Sequence, residues 1–355
     1  MDAYLYLKNG HVFKGKAFGH LEETTGEVVL NTSMIGYQEI LTDPACFGQI
    51  LTMTYPLIGN YGVNLEDSES DGIKVKGLVV KDRSIMPNNF RCEMELDSFL
   101  DQNKIPAIEG IDTRALTKIL RDEGTMSGII SFKQLTKSQI KERIANFSYK
   151  DAVKQVSVQE KVEIPGEREH IAVIDLGIKK SLLEAFRKRG FQITLLPHDT
   201  KPDEWLLDKY DAIFLSGGPG DPMHLTDVIR GIKEVLGKKP IMGVGLGHQL
   251  IAIALGGRIK KLKLGHRGSA HAIRDIKRNR LMMTSQNNSY ALDEKPDGAE
   301  VTFVSLNDNT IQGIKHEDYS IYSVQFQPGA GPQDTEYVFD ELIQCIESGK
   351  EGKNA

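Results

Sequence analysis

The pattern of apolar and polar positions changes about 150 residues into the chain. Up to residue 149, short apolar runs such as residues 4–7 and 28–30 alternate with Gly, Asn and Pro, which is typical of strands joined by loops. From residue 170 the pattern becomes an alternation of strand-like and helix-like segments: IAVIDLG, SLLEAFRKRG, FQITLLP, YDAIFLSGGPGDP, TDVIRGIKEVLG and PIMGVGLGHQLIAIALGG. Such alternation predicts a mainly parallel sheet covered by helices on both faces. We therefore predict an α/β protein with domains at residues 1–149 and 170–350.

Two further segments refine this organisation. Residues 112–124 predict a helix, because Asp112 can cap its start, Leu116 and Leu120 share one face, and Gly124 can end it. Residues 150–169 are highly charged, contain Pro-Gly and show little apolar periodicity. This segment is predicted to be a solvated linker between the two domains.

Composition excludes several classes of protein. The 355 residues include 40 % apolar and 26 % charged residues, as in ordinary globular proteins, and the length suits two domains. The net charge of −5 is made of interspersed signs, so no basic stripe predicts binding to nucleic acid. There is no signal-peptide pattern at the start and no run of 18 apolar residues, so we expect a cytoplasmic protein without membrane contact.

Cysteine usage gives no sign of a metal or redox site. Cys46, Cys92 and Cys345 are far apart and show no C-x-x-C spacing. They are expected to be isolated buried thiols.

The segment from Pro240 to Gln249 has the layout of a nucleophile elbow, in which a buried strand turns sharply into a helix. Such an elbow exposes a Ser or Cys above the sheet, beside backbone N–H groups that stabilise an oxyanion. Gly243 and Gly247 would let strand and helix approach closely. The central residue is Gly245, which has no side chain and cannot start covalent catalysis.

A dinucleotide-binding loop is the competing interpretation of the same glycines. The G-x-G-x-x-G pattern requires glycine at position 248, where His248 stands. The segment that follows, IKKLKLGHRG, also lacks the acid that would hold a ribose. Dinucleotide binding is therefore disfavoured.

Further motifs identify a resemblance that spans nearly the whole chain. In the first domain they are NTSMIGYQEILTDPACFGQILTMTYPLIGNYGVN and IDTRALTKILRDEGTMSG, and in the second DLGIKKSLL, FLSGGPGDP, GVGLGHQL, GHRGSAHA, TSQNNSYAL and VQFQPGA. Together they resemble the small, glutamine-hydrolysing subunit of carbamoyl-phosphate synthase. The resemblance implies a class I glutamine amidotransferase domain after a small-subunit domain rich in strands and loops.

The resemblance also implies a catalytic triad, and this chain departs from it at each position. The family's Cys, His and Glu correspond here to Gly245, Gln327 and Gly329, so a thiolate, a proton carrier and a carboxylate are all missing. Three changes together argue against an isolated error. Asn288 and Ser289 stand where the family has His-Gly, Ala270 replaces its Asn, and PGAGPQD is about two residues shorter.

Other expectations come from the resemblance alone. It implies a glutamine pocket formed by Ser33, Gly218, Gly220, Leu246, Gln249, Asn287, Ser289 and Tyr290. Ser289 puts a side chain where the family has only backbone, which disfavours glutamine binding. The family's partner is a large synthetase subunit, contacted chiefly by the first domain, and ATP and magnesium would be used there. We expect no cofactor in this chain itself.

Three functions stay open at this level. The first is a non-hydrolysing small chain that binds, stabilises or regulates a large synthetase subunit, which would draw on free ammonia. The second is an independent module that senses glutamine without cleaving it. The third is an active glutaminase with an unrecognised nucleophile, for which His248, Ser216 and Cys46 are weak candidates. Whether the product would serve arginine or pyrimidine synthesis is left open.

Overall fold

A computed structural model describes residues 1–329 and 335–351 of the chain. The chain divides into two compact units, the first formed by residues 1–149 with 263–267 and the second by residues 150–262 and the described residues from 268 onward. Each unit has its own apolar core.

The first unit is built around a closed sheet of seven strands in the order β1-β2-β8-β6-β4-β3-β9. The pairs β3–β4, β4–β6 and β6–β8 are parallel, and the other pairs are antiparallel. A separate parallel pair is formed by β5 and β7. The strands are β1 (Asp2–Leu7), β2 (Val12–Gly19), β3 (Thr24–Asn31), β4 (Gln49–Met53), β5 (Leu57–Ile58), β6 (Gly77–Val79), β7 (Asp82–Arg83), β8 (Pro106–Glu109) and β9 (Met126–Ser131).

The helices of the first unit are short. They are α1 (Tyr37–Thr42), α2 (Leu96–Gln102), α3 (Thr113–Glu123) and α4 (Lys137–Ala145). The helix predicted over residues 112–124 is confirmed as α3: the Asp112 side chain accepts a hydrogen bond from the Ala115 N–H, and Gly124 caps the C-terminus. Leu116 and Leu120 are fully buried on its inner face, as the spacing predicted.

The second unit contains a ten-stranded sheet in the order β10-β12-β11-β13-β14-β19-β18-β16-β15-β17. The central strands β12, β11, β13, β14 and β19 are parallel, and antiparallel strands extend the sheet on both sides. The strands are β10 (Val162–Ile164), β11 (His170–Asp175), β12 (Gln192–Pro197), β13 (Ala212–Leu215), β14 (Ile241–Val244), β15 (Arg258–Asp275), β16 (Arg280–Glu294), β17 (Glu300–Ser305), β18 (Ile311–His316) and β19 (Ile321–Val324).

Helices cover both faces of this sheet. They are α5 (Lys180–Lys188), α6 (Pro202–Trp205), α7 (Thr226–Val235), α8 (Leu246–Ala254) and α9 (Tyr337–Glu351). Alternate residues of β11 enter opposite cores: Val173 packs in the cluster that contains α5 and α9, and Ile174 packs in the cluster that contains α6, α7 and α8. The predicted α/β fold class is confirmed.

The expectation that residues 150–169 stay solvated is wrong. Val153 is buried in the apolar cluster of the second unit that contains α6, α7 and α8, and β10 pairs with β12 as an added antiparallel strand. The Asp175 carboxylate also accepts a hydrogen bond from the Val158 N–H at 2.7 Å. Two apolar residues among the charged ones, Val153 and Ile164, pack against the cores of the second unit. They are too widely spaced to form a periodic pattern that predicts burial.

Candidate functional site

The predicted elbow is present between β14 and α8. Gly245 lies between them with φ 58° and ψ −112°, a backbone conformation that side-chain-bearing residues rarely adopt. Its N–H donates to the Val324 carbonyl at 2.9 Å. The flanking glycines allow close packing, since a Cβ on Gly247 would lie 2.2 Å from the Leu215 carbonyl oxygen and one on Gly243 would lie 2.9 Å from the Gly247 carbonyl carbon.

The space in front of Gly245 is open enough for a small side chain. A Cβ built there would lie 3.5 Å from the Gly217 Cα and 3.9 Å from the Gln325 carbonyl oxygen, which are ordinary contacts. Gly217 belongs to the SGGPGDP loop that follows β13. The elbow and this loop therefore border one small space at the carboxyl ends of neighbouring parallel strands, where α/β sheets place their sites.

The other two positions that the resemblance assigns to a catalytic triad follow β19 at the same end of the sheet. The pairing of Val244 with Val324 aligns β14 with β19, and Gln327 comes three residues after Val324. The Gln327 N–H donates to the Ser285 carbonyl at 3.0 Å, which ties the segment to β16. Gly329 has φ 75°, and a Cβ there would lie 3.3 Å from the Phe339 ring. The PGAGPQD segment continues into residues 330–334, which lie outside the described residues.

The residues at this site supply no acid, base or nucleophile of the expected kind. Gly245 and Gly329 have no side chains, and the Gln327 amide does not exchange protons near neutral pH. The backbone geometry of an elbow is present, whereas the groups that would perform covalent catalysis are absent from these three positions.

Sequence reasoning missed a hydrogen-bonded pair of side-chain amides beside the elbow, Gln249 and Gln325, which we call the amide chain. The Gln249 Nε2 donates to the Tyr290 carbonyl and to the Gln325 Oε1, each at 2.9 Å. Because a carbonyl oxygen can only accept, Gln249 must present its NH2 group and Gln325 its oxygen. The Gln325 Nε2 is then a buried donor without a partner among the described residues. The alternation in VQFQP, which puts Gln325 and Gln327 on one face, was the available signal.

The residues expected to bind glutamine fall into two groups. Ser33 lies in the first unit, where its N–H donates to the Asn31 side chain at 2.9 Å. The other seven lie in the second unit and come from the SGGPGDP loop, the first half of α8 and β16: Gly218, Gly220, Leu246, Gln249, Asn287, Ser289 and Tyr290.

Several of these residues have structural roles. A Cβ on Gly218 would lie 2.0 Å from the Leu176 carbonyl oxygen, so this glycine is required by packing. The Tyr290 hydroxyl donates to the Asp221 carboxylate at 2.7 Å, which joins β16 to the SGGPGDP loop. Gln249 is held in the amide chain. The assignment of all eight residues, Ser33 included, to glutamine binding stays a prediction.

The three weak candidates for a replacement nucleophile occupy structural positions. His248 is fully buried, its Nδ1 lies 2.9 Å from the Ser323 Oγ, and burial lowers its pKa to about 3. The Ser216 Oγ is buried, accepts from the Leu176 N–H and donates to the Gly217 carbonyl. Cys46 is buried in the core of the first unit. A buried neutral imidazole and an already bonded hydroxyl do not form a nucleophile and base pair.

In residues 1–329 and 335–351, no group of three or more His, Cys, Asp or Glu side chains is placed to hold a metal ion. None of the helices in these ranges combines the length and apolar character that crossing a membrane requires.

Comparison with known proteins agrees with the two units. Residues 172–345 match the model of the class-I glutamine amidotransferase family, and residues 5–130 match the model of the carbamoyl-phosphate synthase small chain, CPSase domain. The parallel sheet with its elbow is therefore a class I glutamine amidotransferase domain.

Proteins similar along the whole length narrow the assignment. The carbamoyl phosphate synthase small chain of Clostridium perfringens is 53 % identical over 346 residues, covering 97 % of this chain and 99 % of that protein. The protein of the same name from Clostridium acetobutylicum is 44 % identical over 97 % of this chain and 99 % of its own length. The carbamoyl phosphate synthase pyrimidine-specific small chain of Bacillus subtilis is 42 % identical, with 99 % and 98 % covered. The chain belongs to the carbamoyl phosphate synthase small chain family.

Proposed function

We propose that this chain is a small chain that does not hydrolyse glutamine and that associates with a large synthetase subunit. In this role it stabilises or regulates the large subunit, which takes free ammonia as its nitrogen source and uses ATP and magnesium itself. The small chain contributes no cofactor. One observation carries the proposal: Gly245 at the centre of the elbow, and Gln327 and Gly329 after β19, stand at the three positions that the resemblance assigns to the triad.

The expected size of the defect supports this reading. Removing a complete triad from a comparable hydrolase lowers turnover on the order of a million-fold. Backbone donors near the elbow could still polarise an amide, but they leave it without an attacking group. His248 and Ser216 are engaged in the structure and offer no replacement.

The location we propose is the cytoplasm. Cys46, Cys92 and Cys345 are all free thiols, as is usual in a reducing compartment. The proposal involves neither nucleic acid nor a membrane.

The test compares nitrogen sources in the assembled complex. We expect the chain to co-purify with a large synthetase subunit, and we expect the complex to make carbamoyl phosphate from ammonium but not at a comparable rate from glutamine. The matched control is Gly245→Cys/Gln327→His/Gly329→Glu, which restores the three missing groups. Failure of the two chains to associate, equal rates from glutamine and ammonium, or a glutamyl adduct on any residue would refute the proposal.

A glutamine-binding module is the second candidate, and the amide chain favours it. The buried Gln325 Nε2 offers a donor, and the Gln327 Oε1 is a buried acceptor without a partner in the described part of the chain. A primary carboxamide has the matching acceptor and donor. Calorimetry with glutamine and the isolated chain tests this function, with Gln327→Ala as the comparison. No heat at millimolar glutamine would end it, whatever the outcome with the large subunit.

A further inference from the structure

A cavity of about 190 Å³ lies in the second unit, between helix α9 and the hairpin of β18 and β19. Its lining includes Lys315 of β18, Tyr322 of β19, and Glu341 and Cys345 of α9. The two α9 residues are four positions apart and therefore share one face of the helix. An engineered cavity of about 150 Å³ holds one benzene molecule, so this cavity has room for a ligand of roughly six to eight non-hydrogen atoms.

The cavity lies at the opposite end of the sheet from the elbow. It borders the start of β19, at Ile321, whereas the Gly245 N–H donates to the carbonyl of Val324 at the end of that strand. The Ser320 carbonyl, also beside the cavity, accepts from the Ile241 N–H at the start of β14. Three steps along a strand span about 10 Å. A ligand in this cavity would therefore not enter the space in front of Gly245.

The Tyr322 hydroxyl is available to such a ligand. The residue is only 4 % exposed, and its hydroxyl has no hydrogen-bond partner in residues 1–329 and 335–351. Its oxygen is not sealed off from solvent, so it faces the cavity. Burial, followed by the charge of Glu341, raises the pKa of Tyr322 and keeps the hydroxyl protonated. A nearly buried hydroxyl that no protein group satisfies can donate to a bound polar group.

Two opposite charges border the same cavity. The Glu341 carboxylate accepts from Arg278 at 2.6 Å, and a carboxylate has acceptor positions for several further donors. The Lys315 ammonium donates to Glu317 at 3.0 Å, which leaves two of its three N–H groups for other acceptors. That hydrogen bond raises the pKa of Lys315, and the charges of Glu300 and Glu341 raise it further. The ammonium therefore stays charged.

We propose that this cavity binds a small zwitterion of the α-amino acid class. The ligand carboxylate would accept from Lys315 and the Tyr322 hydroxyl, the ligand ammonium would donate to Glu341, and a short apolar side chain would contact Ile321. An anion alone would be repelled by Glu341 and a cation alone by Lys315, whereas a zwitterion meets an opposite charge at both ends. The inference goes beyond the proposed function and does not depend on it.

Calorimetry on the purified full chain tests the ligand class with three probes of one shape. L-valine carries both charges, 3-methylbutanoate carries only the carboxylate, and 2-methylpropylamine carries only the ammonium. We expect saturable binding of L-valine with a Kd on the order of 1 mM or tighter. The other two probes should bind at least about tenfold more weakly, because each lacks one hydrogen bond between charged groups.

Variants of the lining residues locate the bound probe. Lys315→Met keeps the aliphatic stem but removes the ammonium, and it should weaken L-valine binding at least about tenfold. Tyr322→Phe removes one hydroxyl and should weaken it roughly threefold to tenfold. Lys277→Met is the matched control, because Lys277 is exposed and its charge acts on Glu317, but it does not line the cavity. Circular dichroism and Trp205 fluorescence check that each variant is folded.

The outcomes separate this site from the elbow. Weaker L-valine binding in Lys315→Met and Tyr322→Phe, with Lys277→Met and Gln327→Ala like the wild type, supports the proposal. Loss of binding in Gln327→Ala would place the ligand at the elbow and overturn it. Absence of saturable heat with L-valine, equal affinity for a single-charge probe, or unchanged binding in both lining variants would also overturn it. None of these results depends on the large subunit, so the proposed function is tested separately.

Discussion

Gly245 combines two physical features that are usually separate. Its φ of 58° with ψ −112° strains any residue that has a Cβ, yet the nearest atom to a Cβ at this position would be 3.5 Å away. The site therefore has room for a side chain but a backbone that disfavours one. In an active elbow that strain is tolerated because the nucleophile is needed there. Where no nucleophile is needed, glycine is the more stable residue in such a turn.

We predict that Gly245→Ala lowers the free energy of unfolding of the second unit by about 1–2 kcal/mol through backbone strain. Trp205 is the single tryptophan, is buried in this unit, and reports its urea unfolding by fluorescence. Gly217→Ala is the control, because its Cβ would meet nothing closer than 3.9 Å and its φ is not positive. It should change stability by less than about 0.5 kcal/mol. Equal effects of the two changes would contradict the explanation.

His248 gives the second unit a specific pH dependence. Burial lowers its pKa to about 3, whereas an unfolded chain has a histidine pKa of about 6.5. Below pH 6.5 the unfolded state therefore binds a proton that folded His248 does not bind until about pH 3. The stabilisation is complete above pH 6.5 and is lost as the pH falls through this window.

We predict that the free energy of unfolding decreases more steeply with falling pH in the wild type than in His248→Gln. The extra slope should approach about 1.4 kcal/mol per pH unit between pH 6 and pH 4. Glutamine can still hydrogen-bond to Ser323, and carboxylates contribute equally to both proteins, so the difference isolates the imidazole. Urea unfolding followed by Trp205 fluorescence at several pH values measures it. Parallel pH profiles would show that His248 takes up its proton at the same pH in the folded and the unfolded chain, which contradicts the lowered pKa.

At the scale of elements, the sequence predicted features that depend on one local segment, but not contacts between distant elements. Residues 112–124 had a cap, an apolar face and a closing glycine, which are all local, and helix α3 forms there as predicted. The elbow was equally predictable from the sequence, because its glycines are required within one strand-turn-helix segment. The hydrogen bond between Gln249 and Gln325 could not be predicted from the sequence, because the two residues are 76 positions apart and meet only through the alignment of β14 with β19.

We predict that Asp112→Ala destabilises helix α3 by about 1 kcal/mol, because the Ala115 N–H loses its acceptor. The first unit has no tryptophan, so hydrogen exchange of the α3 amides is the suitable measurement. Protection should fall about fivefold in the helix and be unchanged in β3. Asp112→Ser, which keeps an acceptor oxygen at the cap, should restore most of the protection. If Ala and Ser behave alike, the cap is not what starts this helix.

At the scale of the whole chain, the segment after residue 149 shows why composition is a weak guide to linkers. Its charged residues predicted solvation, and many of them are indeed exposed. Isolated contacts nevertheless fix the segment to the second unit: Val153 is 4 % exposed in the apolar core, and the His198 N–H donates to the Ser157 Oγ at 3.0 Å. The Ser157 contact joins residues 41 positions apart, a separation that no local window detects.

We therefore predict that trypsin cuts slowly between residues 150 and 169, although Lys154, Lys161 and Arg168 are exposed there. Cleavage requires local opening, and opening must first withdraw Val153 from the core. Val153→Asp should raise the cleavage rate by at least about tenfold, since a buried carboxylate favours the open form by more than about 1.4 kcal/mol. Val162→Asp, at a site that is 43 % exposed, should have little effect. Timed digestion with mass spectrometry identifies the cuts, and rapid wild-type cleavage into two stable fragments would show that the segment is a free linker after all.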